Sequence, residues 1–155
     1  MSKVITFSRN FQSTHPRKGD PTYFVEKILL AFGEADKVKL NEEFGEIPKP
    51  KLHTIRNGKR FKNGEKFSPR YWSEKPYSSP QVQFSDEKEL RVFDIKICIP
   101  DRFLEIDGVN YYHTFDSTLA KIAENDGLNV EDFKSWFGNK FLDGQILCWD
   151  KNLTY

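Results

Sequence analysis

At 155 residues with a formal net charge of +1, the chain has the size of one domain and is long enough to bury a core. Aromatics make up 15% of it, with 14 Phe, which argues for a packed interior and against a disordered tail. No apolar run approaches the ~18 residues of a membrane helix, so no membrane partner is expected. The small net charge conceals an asymmetry. Between Lys49 and Lys75 nine Lys or Arg face only Glu65 and Glu74, whereas between Asp101 and Asp150 ten acids face four bases. The basic stretch is where a phosphate-bearing partner would bind, weighed against ordinary solvated surface.

In chain order, Val4-Ile5-Thr6-Phe7 is β-branched and aromatic and predicts a first strand. The start Met1-Ser2-Lys3 reads straight into it, with no secretory leader pattern, so a cytoplasmic protein is expected. Asp20-Pro21 reads as an N-cap followed by proline at the first helical position; Phe24, Ile28, Ala31 and Phe32 then recur at helical spacing up to Gly33. Residues 34–50 read as a charged excursion with one helical turn. Leu52 to Arg56 is strand-like, bracketed by Asn57-Gly58 and Asn63-Gly64 turns, with a further strand at Lys66 to Trp72. A proline-punctuated loop follows over 75–80, then a short strand at Val82 to Phe84.

Leu90 to Ile99 carries the clearest strand pattern, with Phe93, Ile95, Ile97 and Ile99 on one face. Asp107-Gly108 predicts a hairpin between Phe103–Ile106 and Val109–Tyr112. Asp116 reads as the cap of a short helix that Asp126-Gly127 breaks. Asn129 opens another, with Phe133, Trp136 and Phe137 on one face and Gly138 at its end. Gln145 to Trp149 is the closing strand. This order predicts an α+β fold of antiparallel strands with helices at one end, as one domain over residues 1–155.

Three clusters could carry chemistry. Lys51-Leu52-His53-Thr54-Ile55-Arg56 places a Lys, a His, a Thr and an Arg beside a turn. Downstream, Lys59, Arg60, Lys62 and Trp72 belong to a run where cations alternate with aromatics, as phosphate contacts and base stacking require. Glu124 and Asp126 lie at a helix junction, where a carboxylate could be aimed into a cleft. Each has a structural alternative: ordinary strand alternation, core aromatics and helix-end residues. No P-loop, Rossmann glycine series or Gly-x-Ser-x-Gly occurs, which leaves no support for a triphosphatase or dehydrogenase. Cys98 and Cys148 lie in apolar runs and read as buried reduced thiols. With three His and no CxxC, neither a metal nor a cofactor is expected.

Ile5-Thr6-Phe7 with Phe11-Gln12, then Lys51-Leu52-His53-Thr54-Ile55-Arg56, Phe61-Lys62-Asn63-Gly64-Glu65-Lys66 and Asp126-Gly127-Leu128 with Val130–Phe133 occur in an order that resembles ASCH-domain proteins. The resemblance implies a PUA-like fold, a small, mostly antiparallel β-barrel with flanking helices. It also implies a cleft for RNA or a nucleoside-like small molecule. In that reading Lys51, Arg56, Lys59, Arg60 and Lys62 engage phosphate, Thr54 hydrogen-bonds the base or sugar, and His53 and Trp72 belong to the same ligand-binding set.

Some family members remove the acetyl group from acetylated cytidine with a Lys, a Thr and a Glu. Carried over, these are Lys51 as base, Thr54 as nucleophile and Asp126 or Glu124 as the proton-shuttling carboxylate. Asp126 would be one methylene shorter than the family's Glu, and the 34–46 insertion and the hairpin at Asp107-Gly108 are additions. Nucleotide or RNA binding is the leading expectation. Deacylation of an N-acylated nucleoside is the alternative, and a protein-interaction module the second alternative.

Overall fold

The computed structural model describes residues 2–155. Its elements run β1 (Lys3–Thr6), α1 (Phe24–Phe32), α2 (Lys37–Phe44), β2 (His53–Asn57), β3 (Lys66–Trp72), β4 (Gln81–Gln83) and β5 (Lys88–Glu89). They continue with β6 (Arg91–Cys98), β7 (Phe103–Ile106), β8 (Val109–Asn110), α3 (Phe115–Asn125), α4 (Val130–Phe137) and β9 (Leu142–Cys148). The fold is α+β with mostly antiparallel sheets, and the described strands form no closed barrel. No helix among the described residues is long and apolar enough to cross a membrane. The chain gathers into two compact units: one is the chain through Lys51 with Glu65–Glu89, the other Leu52–Gly64 with Leu90–Tyr155.

In the first unit β3 is the centre of the sheet, antiparallel to β4 and β5 and parallel to β1, with Lys3 opposite Phe67 and Thr6 opposite Arg70. Parallel neighbours need a long crossover, and this one contains α1 and α2. Ile5, Phe7, Phe24, Ile28 and Phe67 form the core. α1 does not start on Asp20-Pro21. Its N-cap is Tyr23 in the left-handed region (φ 59°), and the Thr22 hydroxyl receives the Phe24 amide at 3.2 Å. Asp20 is held elsewhere: its carbonyl accepts from the Phe11 amide at 2.8 Å, and Pro21 bridges to Asn10. The excursion after Gly33 holds two full turns rather than one, because Asp36 caps α2 by accepting from the Lys39 amide at 3.1 Å.

The second unit is a five-stranded antiparallel sheet in the order β2-β9-β6-β7-β8, with α3 and α4. Ile95, Ile97, Leu104, Ile122, Phe133 and Ile146 are fully buried in its core. Each buried aliphatic or aromatic side chain contributes about 1.5–3 kcal/mol relative to exposure. Asp107 (φ 48°) and Gly108 (φ 82°) form the hairpin turn between β7 and β8, as their dipeptide predicts. Asn129 caps α4 by accepting from the Asp132 amide at 2.8 Å. Asp116, by contrast, is not a cap. Thr114 precedes α3, while Asp116 lies in its first turn and pairs with Arg102 at 3.0 Å.

β9 starts three residues earlier than expected, so Gly144 sits opposite Asn57. A side chain on Gly144 would collide with the Arg56 carbonyl, which explains the glycine inside a central strand.

Candidate functional site

In the second unit two of the candidate residues, His53 and Asp126, meet in the interior. β2 carries His53, Thr54 and Ile55, all buried, so the strand is covered on both faces rather than alternating between core and solvent. α3 ends when the Asp126 amide returns to the Ile122 carbonyl at 2.9 Å and Gly127 takes a positive φ of 83°. The same turn ties the Leu52 amide to the Asn125 carbonyl at 2.7 Å and brings the Asp126 carboxylate to β2. His53 Nδ1 lies 3.3 Å from Asp126 Oδ1, and His53 Nε2 lies 2.5 Å from the Tyr155 hydroxyl. Asn125 Nδ2 donates to that hydroxyl at 2.9 Å.

The donor inventory assigns the neutral form of this chain of groups. A carboxylate only accepts, so the imidazole proton sits on Nδ1; the phenol accepts from Asn125 and donates to Nε2. Burial pushes the Tyr155 phenol well above its ordinary range, against the hydrogen bond from Asn125, so it remains a hydroxyl at neutral pH. His53 is fully buried and Asp126 is 4% exposed, whereas Glu124 is exposed. Of the two carboxylates predicted for this junction, Asp126 is the buried one and contacts His53.

Thr54 and Arg56 share a strand face two residues apart, and Arg56 Nε donates to Thr54 Oγ1 at 3.2 Å. Beyond them the basic turn is clamped. Gln145 uses both amide atoms on the Phe61 backbone, accepting from its N–H at 3.1 Å and donating to its carbonyl at 2.8 Å. Asn63 Oδ1 receives the Val92 amide at 3.0 Å. Arg60, stacked 5.3 Å from the Phe61 ring centre, and Lys62 are exposed on this held turn. Lys59 is committed differently. Its ammonium lies 3.0 Å from Asp94 and 3.5 Å from Asp143. Desolvation works against its charge, but the two carboxylates prevail and raise its pKa.

Lys51 belongs to the first unit. It is 1% exposed, its amide donates to the Lys27 carbonyl at 3.1 Å, and its ammonium stands 4.3 Å over the Phe24 ring. Phe24 in turn lines a cavity of about 310 Å³ with Arg9, Asn10, Tyr23 and Glu26. Burial raises the Glu26 pKa above the ordinary carboxylate value, opposed by its backbone hydrogen bond. Trp72, also in this unit, is half-buried with its ring centre 5.2 Å from that of Tyr77.

Tyr155, Asn125 and Gln145 were not singled out by sequence, and no local signal marks them. Tyr155 meets His53 across 102 positions of chain. Cys98 and Cys148 are buried free thiols, as their apolar surroundings predict, and burial pushes the Cys148 thiol up to about 11. Among the described residues no three His, Cys, Asp or Glu side chains gather where they could hold a metal ion.

No family model, no curated protein and no solved structure matches the chain. The class its fold defines is therefore the α+β one, with mostly antiparallel sheets and four helices among the described residues.

Proposed function

We propose that this chain is an RNA- or nucleotide-ligand-binding domain of the ASCH, PUA-like kind, acting through the basic segment that begins at Lys51. The observation that carries the reading is the placement of Lys51. A lysine that is 1% exposed holds its ammonium on the ring of Phe24, a side chain that also lines a cavity of the first unit. Burying a lysine is costly, and a buried positive charge one ring away from a cavity favours an anionic ligand there. The clamped turn supports the same reading from the second unit. Gln145 and Asn63 fix its backbone before any ligand arrives, so Arg60 and Lys62 are presented at low ordering cost. Lys59 on the same turn is engaged by Asp94 and Asp143.

The test is binding of a short single-stranded RNA as a function of salt. The Arg60→Ala, Lys62→Ala double variant should weaken binding and lower the log–log salt slope by about 1.4, two phosphate contacts at ~0.7 each. Affinity that does not change with salt would refute the electrostatic reading.

Burial of Thr54 (6% exposed) as well as Lys51 favours a second reading, removal of an acyl group from an N-acylated nucleoside. There Thr54 would attack the acyl carbon, its hydroxyl proton would pass through a general base (the role expected of Lys51) to the amine as the C–N bond breaks, and water would then free Thr54. Lys51→Ala and Thr54→Ala should each abolish deacetylation of acetylated cytidine while leaving the circular dichroism spectrum unchanged. Absence of turnover by the native chain would remove this reading.

A further inference from the structure

The first unit contains another cavity, of about 250 Å³, between the segment after β1 and the end of β3. Phe7, Phe11, Trp72 and Pro76 supply apolar walls, and Asn10, Gln12 and Glu74 supply polar groups. We infer that this cavity is a nucleobase pocket, with Trp72 as the stacking surface and Asn10 and Gln12 as readers of the base edge. The inference rests on the nucleotide-binding reading above and adds to it a base-recognition site within the first unit.

Its frame is fixed in advance. Arg9 Nη2 donates to the Ser73 carbonyl at 2.8 Å and the Trp72 carbonyl at 3.3 Å, and its guanidinium lies 4.5 Å from the Tyr71 ring centre. This pins the strand-one segment to the end of β3. The opposite loop is tied by the Ser79 hydroxyl, which donates to the Lys75 carbonyl at 2.7 Å and accepts from the Glu74 amide at 3.1 Å. That loop holds Tyr77 at a positive φ of 64°, a conformation non-glycine residues avoid, with its ring 86% exposed beside Trp72. Strained backbone and an exposed aromatic at one rim are features that binding loops share.

The chemistry of the walls selects the ligand class. The Arg9 guanidinium commits Nη2 to two backbone carbonyls and Glu74 adds a negative charge to the same lining, so the cavity carries no net positive charge to draw a phosphate. Among the described residues, the side chains of Asn10, Gln12 and Glu74 make no hydrogen bond within the chain. Amides offer donors and acceptors together, and the carboxylate accepts from an exocyclic amine. A neutral planar group bearing both donors and acceptors, laid on an indole, matches that set. The base could come from a free nucleotide or from a single strand, and the chemistry is the same.

The experiment measures quenching of tryptophan fluorescence by cytidine and adenosine monophosphates, and binding of a labelled eight-nucleotide single-stranded RNA by anisotropy. Ribose 5-phosphate, which lacks the base, should neither quench nor compete. Trp72→Leu should weaken binding about 5- to 150-fold, the value of one stacked base. Because Trp72 lies in β3, the exposed pair Asn10→Ala, Gln12→Ala provides a second variant that leaves the core intact, with an expected loss of about tenfold. Tighter binding of the strand than of the monophosphate assigns the base to RNA, and equal binding assigns it to a free nucleotide; both support the pocket. RNA binding that is lost in Arg60→Ala, Lys62→Ala but unchanged in both pocket variants overturns the pocket and leaves the wider reading standing. No binding of nucleotide or RNA by the native chain overturns both.

Discussion

Tyr155→Phe removes a single oxygen from the buried chain that links Asp126, His53, Tyr155 and Asn125. The phenylalanine ring keeps the edge contact with Phe93, whose ring centre lies 5.9 Å away, so the packing term changes little. What is lost is the hydroxyl 2.5 Å from His53 Nε2 and 2.9 Å from Asn125 Nδ2. Asn125 is half-buried and its donor can turn to water. His53 is fully buried, so its Nε2 lone pair is left without that partner, at a cost of about 1–3 kcal/mol.

With a urea m-value of about 2 kcal/mol per molar, a central value of ~2 kcal/mol moves the midpoint down by about 1 M with m unchanged. Circular dichroism in a urea series is the assay. Long-range proton–nitrogen spectra of the native chain provide a second readout, and should show the His53 proton on Nδ1. A midpoint shift below about 0.2 M, or a neutral imidazole protonated on Nε2, would refute the hydrogen-bond assignment.

Gly144→Ala should destabilise by about 3 kcal/mol, because its methyl group must displace the Arg56 carbonyl in the β2–β9 pair; thermal unfolding measures it. Asn129→Ala removes the acceptor of the Asp132 amide and should cost about 1 kcal/mol, read as a lower urea midpoint. Burial raises Cys148 to about 11 from an ordinary 9.0, so the stabilising effect of its neutral thiol is complete below pH 9 and lost as pH climbs through 11. The stability gap between the native chain and Cys148→Ala should therefore narrow over that interval, and iodoacetamide should label native Cys148 far more slowly than denatured chain at pH 8. Burial also raises Glu26, whose charge thus opposes folding at neutral pH; Glu26→Gln should raise the urea midpoint at pH 7 and lose that advantage as Glu26 itself protonates in acid.

The parts that were legible in the sequence are those whose cause lies within a few residues. Asp107-Gly108 turns because adjacent positive φ angles suit Asp and Gly, and Asn129 caps because its own side chain reaches the Asp132 amide. The same local logic misplaced the start of α1. Asp20-Pro21 carries the right chemistry for a cap, but Phe11 and Asn10 had already engaged that stretch from across a loop. Asp36 as the cap of α2 was readable in principle, yet the weak apolar periodicity after it hid a helix that buries only Leu40.

For the candidate site the division is similar. The sequence marked Lys51–Arg56 and Asp126 as a cluster of reactive types, and His53 with Asp126 does form a buried contact. Which of Glu124 and Asp126 faces inward depended on where Gly127 stops α3, a matter of three-dimensional register. That Lys59 spends its charge on Asp94 and Asp143 depended on strand pairing between β6 and β9.

By itself, then, the sequence determined the α+β composition, the turn and helix-end chemistry and the buried state of both cysteines, all of which follow from local periodicity and backbone preference. Only the tertiary structure decided the parallel β1–β3 pair, the partners of His53 and the orientation of Lys51. Those contacts join residues far apart in the chain, where geometry rather than proximity in sequence sets what each side chain meets.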